Sequence, residues 1–423
     1  MRVLVVTLPA KTHLYNMVPL AWAMHVTGHE VVVASTPDAA GVIAGTGLPS
    51  VPLGSPVHLD EAMRREPRDP AMGQSAWVDI AEPDERKMTW DFVLPIITYG
   101  SYLFQTVNTD KVIDDMVAFA REWKPDLVIW DPLMFAAPIA ARAVGAAHAR
   151  MLWGPDLIGR IRKIFLRFLD HPLSEFTEDP LGDWLRRSAR RYGQRFDEEM
   201  VAGQWTIDPT PQWLQYSVDL EYVPIRFVHY NGPSEIPGWA LEKPDRPRIV
   251  LTLGLSKREL EGDVSRFLSA MLEAVEGLDV EVIATLDPLQ LGRAARVPAN
   301  VKTVDFVPLN TILQTSSAIV HHGGFGTFGN ALARGVPQFL VPDDTWDTVL
   351  IGDHLVRRGA GMCIPPERRS PGELREAIQR IITDPSYREN ALALSRENQE
   401  LPGPVDLVPV LESLTAKHRV ARG

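Results

Sequence analysis

Two histidines followed by a glycine run, His321-His322-Gly323-Gly324-Phe325-Gly326-Thr327, are the residues best placed to do chemistry in this chain. The apolar segment Ser317-Ala318-Ile319-Val320 precedes them, and a helix-compatible stretch from Phe328 to Ala333 follows. A strand that empties through glycines into a helix N-terminus makes a cradle for a phosphate or pyrophosphate. Backbone N–H groups and the positive end of the helix dipole face the anion, with no side chains in the way. A simple glycine turn between a buried strand and a helix would carry the same pattern, and the spacing matches neither G-x-G-x-x-G nor the Walker loop. His13 is a second candidate. It follows the apolar run Val3 to Thr7, at the carboxyl end of a strand, where open α/β sheets hold their ligands. Imidazole suits proton acceptance at neutral pH, although a lone histidine in a loop is more often a solvated turn residue. Asp131, at the end of Leu127 to Trp130, reads as a turn with Pro132.

The elements around these residues read as alternating strands and helices. Val3 to Thr7 is a continuous apolar run of the kind buried on both faces of a parallel sheet. Val18 to Val26 is helical in composition, with Gly28 as its C-terminal cap, and Val31 to Ala34 is the next strand. Further on come a strand at Leu127 to Trp130, an alanine-rich helix at Phe135 to Val144 and a strand at Ala147 to Leu152. Five prolines between Val223 and Pro247 mark an interdomain linker. The alternation then restarts with strands at Ile249 to Leu253, Val280 to Ala284, Val301 to Val304, Ala318 to His321 and Gln338 to Val341. Two doubly wound α/β halves are expected.

Composition excludes several classes. A chain of 423 residues, 45% hydrophobic and 23% charged, is globular and long enough for two or three cores. Its net charge of −11 argues against nucleic acid or an anionic membrane as the main partner. One cysteine, Cys363 in an apolar run, excludes an internal disulfide and a cysteine zinc site, and reads as a buried structural thiol. No segment approaches the roughly 18 apolar residues of a membrane span, and the N-terminal apolar run is short for a signal peptide. A soluble cytoplasmic protein is expected.

Neighbouring segments sharpen the reading. Asp305-Phe306-Val307-Pro308-Leu309 precedes the cradle; Gly335-Val336-Pro337-Gln338 and Pro342-Asp343-Asp344-Thr345-Trp346-Asp347 follow it. With Met1 to Ser35, Gly203 to Asp208 (Gly-Gln-Trp-Thr-Ile-Asp), Tyr230-Asn231-Gly232-Pro233 and Leu251-Thr252-Leu253-Gly254, nearly the whole chain resembles nucleotide-sugar-dependent glycosyltransferases of the GT-B fold. More narrowly, it resembles the actinomycete enzymes that attach deoxysugars such as desosamine or mycaminose to macrolide and other polyketide antibiotics.

The resemblance implies two Rossmann-like domains facing across a cleft. Residues 1–222 would bind the acceptor, 223–247 would link, 248–400 would bind the nucleotide sugar, and a C-terminal helix at 401–423 would cross back to the first domain. It implies His13 as the catalytic base, with Asp131 orienting it. His322, Gly324, Gly326 and Thr327 would hold the pyrophosphate, with His321 structural, and Ser256 would be either a second phosphate contact or a turn residue. Val307 would offer backbone groups to the nucleobase. Trp346, Asp347 and Thr348 would face the donor sugar, Asp347 alternatively capping the next helix. Plant relatives carry Glu where this chain has Asn330, and Gln where it has Thr348. Both departures subtract hydroxyl-directed contacts and favour a dTDP donor and a deoxysugar, and Asp347 could serve as counter-ion to an amino sugar. Trp77, Trp90, Phe92, Tyr102 and Trp153 are candidate walls for an apolar aglycone.

The expected reaction is inverting transfer of a deoxysugar, an amino sugar by preference, from dTDP to a hydroxyl of a macrolide-like, macrolactam or anthracycline aglycone. No cofactor or metal is expected, because the cradle and helix dipole replace the cation. Some members of the resembled group work only with a separate cytochrome P450-like auxiliary protein; whether this chain needs one, and whether it forms a homodimer, are left open. The rival readings are a nucleotide-sugar epimerase or hydrolase, and a non-catalytic partner keeping the same fold.

Overall fold

A computed structural model of the chain describes residues 1–59, 80–172, 176–254, 265–286, 296–342 and 346–420. It divides into two units: Met1–Arg226 with Pro402–Gly423, and Phe227–Leu401.

Unit 1 is built on a seven-stranded sheet. Its strands are β1 (Arg2–Val6), β2 (Glu30–Ser35), β3 (Ser50–Pro52), β4 (Leu127–Trp130), β5 (Ala147–Met151), β6 (Trp205–Asp208) and β7 (Tyr222–Pro224), in the order β3-β2-β1-β4-β5-β6-β7. Every pairing is parallel. Val3, Leu4, Val5 and Val6 are all buried, as are all four residues of β4. Covering both faces with helices has that result, and it explains why these strands are continuously apolar instead of alternating. Helices Leu157–Leu169 and Pro180–Arg190 begin at Asp156 and Asp179, whose carboxylates accept N–H groups of the first turn. The C-terminal helix Pro404–His418 packs on helix Lys11–Val26 and on β5, burying Leu407, Val408 and Leu411.

Unit 2 carries a six-stranded parallel sheet. Its strands are β8 (Arg248–Thr252), β9 (Glu281–Thr285), β10 (Val301–Val304), β11 (Ala318–His321), β12 (Gln338–Leu340) and β13 (Gly361–Cys363), ordered β10-β9-β8-β11-β12-β13. Alternation along β8 feeds two cores. Ile249 and Leu251 join Leu272, Val282, Phe339 and Ile378 on one face, whereas Val250 joins Ile283, Ile319 and Ala331 on the other.

Two expectations change. Val223 and Pro224, assigned to the linker, belong to β7; proline is tolerated there because β7 is the edge strand and ends at it. The rest of that segment from Phe227 onward groups with unit 2, where Phe227 fits against Gly329 and meets Phe325 edge-on at 5.8 Å. Cys363 lies in β13 and is half-buried, not buried. Burial still pushes its thiol up to about 11, so it stays protonated at neutral pH.

Candidate active site

In unit 1 the strand order reverses between β1 and β4, and the loops leaving their carboxyl ends form the crevice where ligands of such sheets bind. His13 lies there, but not in a loop. It is the third residue of helix Lys11–Val26, its N–H donating to Ala10 O at 3.1 Å. A helix starting at Val18 would put Pro19 in its first turn, where a missing N–H costs nothing. The chain instead runs helical through Pro19, because Leu14, Met17, Val18, Leu20, Ala21 and Met24 form one continuous buried face. That burial outweighs one lost hydrogen bond, and it fixes the His13 backbone in regular structure.

The imidazole Nδ1 of His13 sits 2.6 Å from Asp131 Oδ2. Asp131 is 1% exposed; its Oδ1 accepts the Leu133 N–H at 3.0 Å, and its own N–H donates to Val6 O at 2.9 Å. Asp131 therefore does make a turn with Pro132, and the turn aims its carboxylate at His13. A carboxylate only accepts, so Nδ1 must carry the proton in this pair, leaving the Nε2 lone pair available. Trp153, two residues beyond β5, lies with its ring 4.8 Å from the imidazole at 60°.

In unit 2 the order reverses between β8 and β11. His321 ends β11 fully buried: Nε2 faces Gln338 Oε1 at 3.0 Å, and Nδ1 accepts the Gly323 N–H at 3.1 Å. Burial lowers its pKa to about 4, so it is neutral and part of the frame. His322 points elsewhere. A Cβ on Gly254 would lie 2.5 Å from His322 Cε1, and one on Gly324 would lie 2.8 Å from Nε2, so the imidazole occupies a slot that exists because both neighbours are glycine. Gly254 comes after β8 at φ +77°, a conformation other residues avoid.

Helix Phe325–Arg334 starts at Gly324 with no side-chain cap, and among the described residues nothing lies within 4 Å of where a Cβ on Gly326 would stand. First-turn N–H groups have no intrahelical acceptor of the usual kind, although Thr327 and Phe328 both donate to Gly324 O at 3.0 Å. Asn330 is buried, its Nδ2 donating to Gly326 O at 2.7 Å and its Oδ1 facing Asn231 Nδ2 at 3.3 Å. Asn231 also accepts the Asn310 N–H at 2.9 Å. Asn231, in the Tyr230-Asn231-Gly232-Pro233 segment, thereby ties Asn330 to Asn310.

The other expected donor residues surround this corner. The Val307 side chain is core. Thr348 is buried against Gly323, where a Cβ would come within 3.0 Å of it. Trp346 adopts φ +56°. Asp347 occupies the N-cap position of helix Thr348–Arg357, but its side chain accepts no first-turn N–H. It is 3% exposed, its Oδ2 has no hydrogen-bond partner among the described residues, and burial pushes its pKa up to about 7. Ser256 and Trp77 lie outside the described residues. Of the aromatic candidates, Trp90 stacks between Phe165 and Phe176, Phe92 is half-buried on the same helix, and Tyr102 is 55% exposed. Trp153 alone of these four touches His13.

Comparison with known proteins decides the family. Residues 22–254 match the N-terminal domain, and residues 269–414 the C-terminal domain, of the erythromycin biosynthesis protein CIII-like family. The chain belongs to this family and is a glycosyltransferase. It is 46% identical to the aclacinomycin-T 2-deoxy-L-fucose transferase of Streptomyces galilaeus, covering 100% of this chain and 98% of that one. It is 42% identical to the 3-alpha-mycarosylerythronolide B desosaminyl transferase of Saccharopolyspora erythraea, over 100% of both. Among solved structures, glycosyltransferase VinC in complex with dTDP superposes with a TM-score of 0.89 and 37% identity, covering 99% of this chain and 100% of that one. The two units are thus the two α/β domains of a GT-B glycosyltransferase, and its named relatives are deoxysugar transferases of macrolide and anthracycline biosynthesis. Among the described residues of the glycosyltransferase, no group of three or more His, Cys, Asp or Glu could hold a metal ion, and no helix is long and apolar enough to cross a membrane.

Proposed function

We propose that this glycosyltransferase moves a deoxysugar, an amino sugar by preference, from a dTDP-activated donor to a hydroxyl of a macrolide-like, macrolactam or anthracycline aglycone, with inversion, in the cytosol. The observation that carries the reading is the 2.6 Å contact between His13 Nδ1 and a buried Asp131 carboxylate. His13 Nε2 takes the proton of the acceptor hydroxyl as its oxygen bonds to the anomeric carbon. The bond from that carbon to the phosphate oxygen breaks, and its electron pair leaves with dTDP. Asp131 stays ionised and stabilises the imidazolium. Charge building on the leaving diphosphate meets the His322 imidazole and the N-terminus of helix Phe325–Arg334, with no metal required.

Donor preference draws on two features. Each polar atom of the Asn330 amide already holds one partner within the fold, and a neutral amide gives a ribose 2′-hydroxyl a weaker acceptor than a glutamate carboxylate would. Asp347 is a buried carboxyl with one oxygen that has no hydrogen-bond partner among the described residues, suited to a cationic amino group, which would restore its ionised form. The test is incubation with dTDP-deoxysugars and a panel of aglycones, followed by mass spectrometry. A glycosylated product is expected. Free sugar released without acceptor would make the protein a hydrolase, and no turnover of any donor would make it a binding partner.

A further inference from the structure

The Gly203–Asp208 motif lies at the centre of a buried polar network in unit 1. Arg150, in β5 and fully buried, donates through Nε and Nη2 to Thr206 Oγ1 at 3.3 and 3.1 Å, and through Nη2 to Asp156 Oδ2. The Thr206 hydroxyl donates onward to Ala202 O at 2.7 Å. Asp156 Oδ2 also accepts the Tyr222 hydroxyl at 2.7 Å, Oδ1 accepts the Gly159 N–H at 2.8 Å, and its own N–H donates to Gln215 Oε1 at 2.9 Å. Gln215 in turn donates to Asp208 at 2.8 Å. Gly203 (φ +80°) makes room, since a Cβ there would lie 2.7 Å from Arg150 N. A buried ion pair of this kind is a costly way to stabilise a fold, and apolar residues could fill the same volume. Its use is better sought in the segment it holds still.

It holds the segment Trp153-Gly154-Pro155. On one side Leu152 N–H donates to Ile207 O at 2.9 Å; on the other Asp156 is fixed by the bonds just described. Between these anchors, Trp153 lies 4.8 Å from the His13 ring. Asp131 fixes the imidazole at Nδ1, but one hydrogen bond leaves the ring free to rock about it. A second surface against the ring removes that freedom and sets where Nε2 points. An indole at this distance also favours the imidazolium that forms on proton transfer. We propose that Trp153 is a positioning residue for His13, and that the Arg150–Asp156–Thr206–Tyr222 network is the device that holds Trp153 in place.

The inference rests on His13 being the base, so His13→Ala is measured alongside. In full saturation curves for donor and acceptor, Trp153→Leu should lower kcat by about 10- to 100-fold with both KM values within about twofold, since misplacing a reacting group by about 1 Å can cost about 10²-fold. Trp153→Phe, which keeps an aromatic ring, should recover to within about threefold of the parent. Tyr222→Phe should lower kcat in the parent and have no further effect in the Trp153→Leu background, because the two act in series. A raised acceptor KM with unchanged kcat would make Trp153 an aglycone wall and overturn the proposal, as would a Tyr222→Phe effect that persists without Trp153. If His13→Ala abolishes turnover while Trp153→Leu and Trp153→Phe both match the parent, this inference falls and the base assignment stands. If His13→Ala is fully active, the base assignment falls and takes this proposal with it. Should Trp153→Leu not fold, Trp153→Phe and Tyr222→Phe decide the matter through the same kcat and KM split.

Discussion

The two switch-point corners of this protein share a topology and differ in the segments that leave the strand ends. After β1 the chain enters a helix within five residues, and β4 ends in a buried aspartate; the product is a histidine hydrogen-bonded to a carboxylate, an arrangement for moving a proton. After β8 and β11 the chain runs through glycines, and the product is a histidine in a glycine-walled slot beside an uncapped helix N-terminus, an arrangement for holding an anion. The same kind of parallel sheet thus presents a carboxylate-bound histidine in one unit and a glycine-walled histidine in the other. The difference lies in whether a carboxylate or a positive dipole end stands beside the imidazole.

The sharpest way to break this comparison is to remove each histidine in turn. His13→Ala should cut turnover by about two to four orders of magnitude, the usual span for a positioned general base, and leave dTDP affinity unchanged. Steady-state rates together with calorimetry check both halves. His322→Ala should act on the donor instead, weakening dTDP binding by about one to two orders of magnitude, since a hydrogen bond to a charged group is worth about 1.5–3 kcal/mol. Calorimetry with dTDP alone reads this directly, and unchanged affinity would reduce the glycine run to a turn.

Asp347 offers a smaller test within the donor unit. Its folded pKa of about 7 lies above the usual carboxylate range, so between about pH 4 and pH 7 the unfolded chain releases a proton that the native state retains. The contribution of this group to stability therefore falls as pH rises through that window. Asp347→Asn should gain thermal stability relative to the parent progressively from pH 4 to pH 7, seen as a widening difference in Tm; a constant difference would contradict it. A dTDP-amino sugar should narrow that difference more than dTDP does, through its cation. The smallest effect concerns the base. The thymine methyl adds about 0.8 kcal/mol of apolar burial, giving a few-fold preference for dTDP over UDP in parallel titrations. Tighter binding of UDP would reverse the deoxyribose argument drawn from Asn330.

Much of this molecule was legible in the chain itself. Buried parallel strands are continuously apolar, so β1, β4, β8 and β11 stood out, and with them the residues after their carboxyl ends: His13, Asp131, Gly254 and His322. The short strands β3, β7 and β13 were not legible: three residues carry little pattern, and unlike the equally short β12 (Gln338–Leu340) their sequences Ser-Val-Pro, Tyr-Val-Pro and Gly-Met-Cys begin or end in turn-forming or mixed residues. Nor was β6, whose Trp-Thr-Ile-Asp sequence mixes polar groups that prove to be internally bonded. The helical state of His13 was hidden by Pro19, since propensity is local whereas the buried face that carries the helix through it is not. The sequence by itself determined which side chains are candidates for the chemistry and which strand ends present them. Tertiary structure alone decided their company: that Asp131 meets Nδ1 of His13, that the distant Gly254 leaves room for His322, and that Trp153 rests on the His13 ring. Each of these is set by packing between segments that no local spacing brings together.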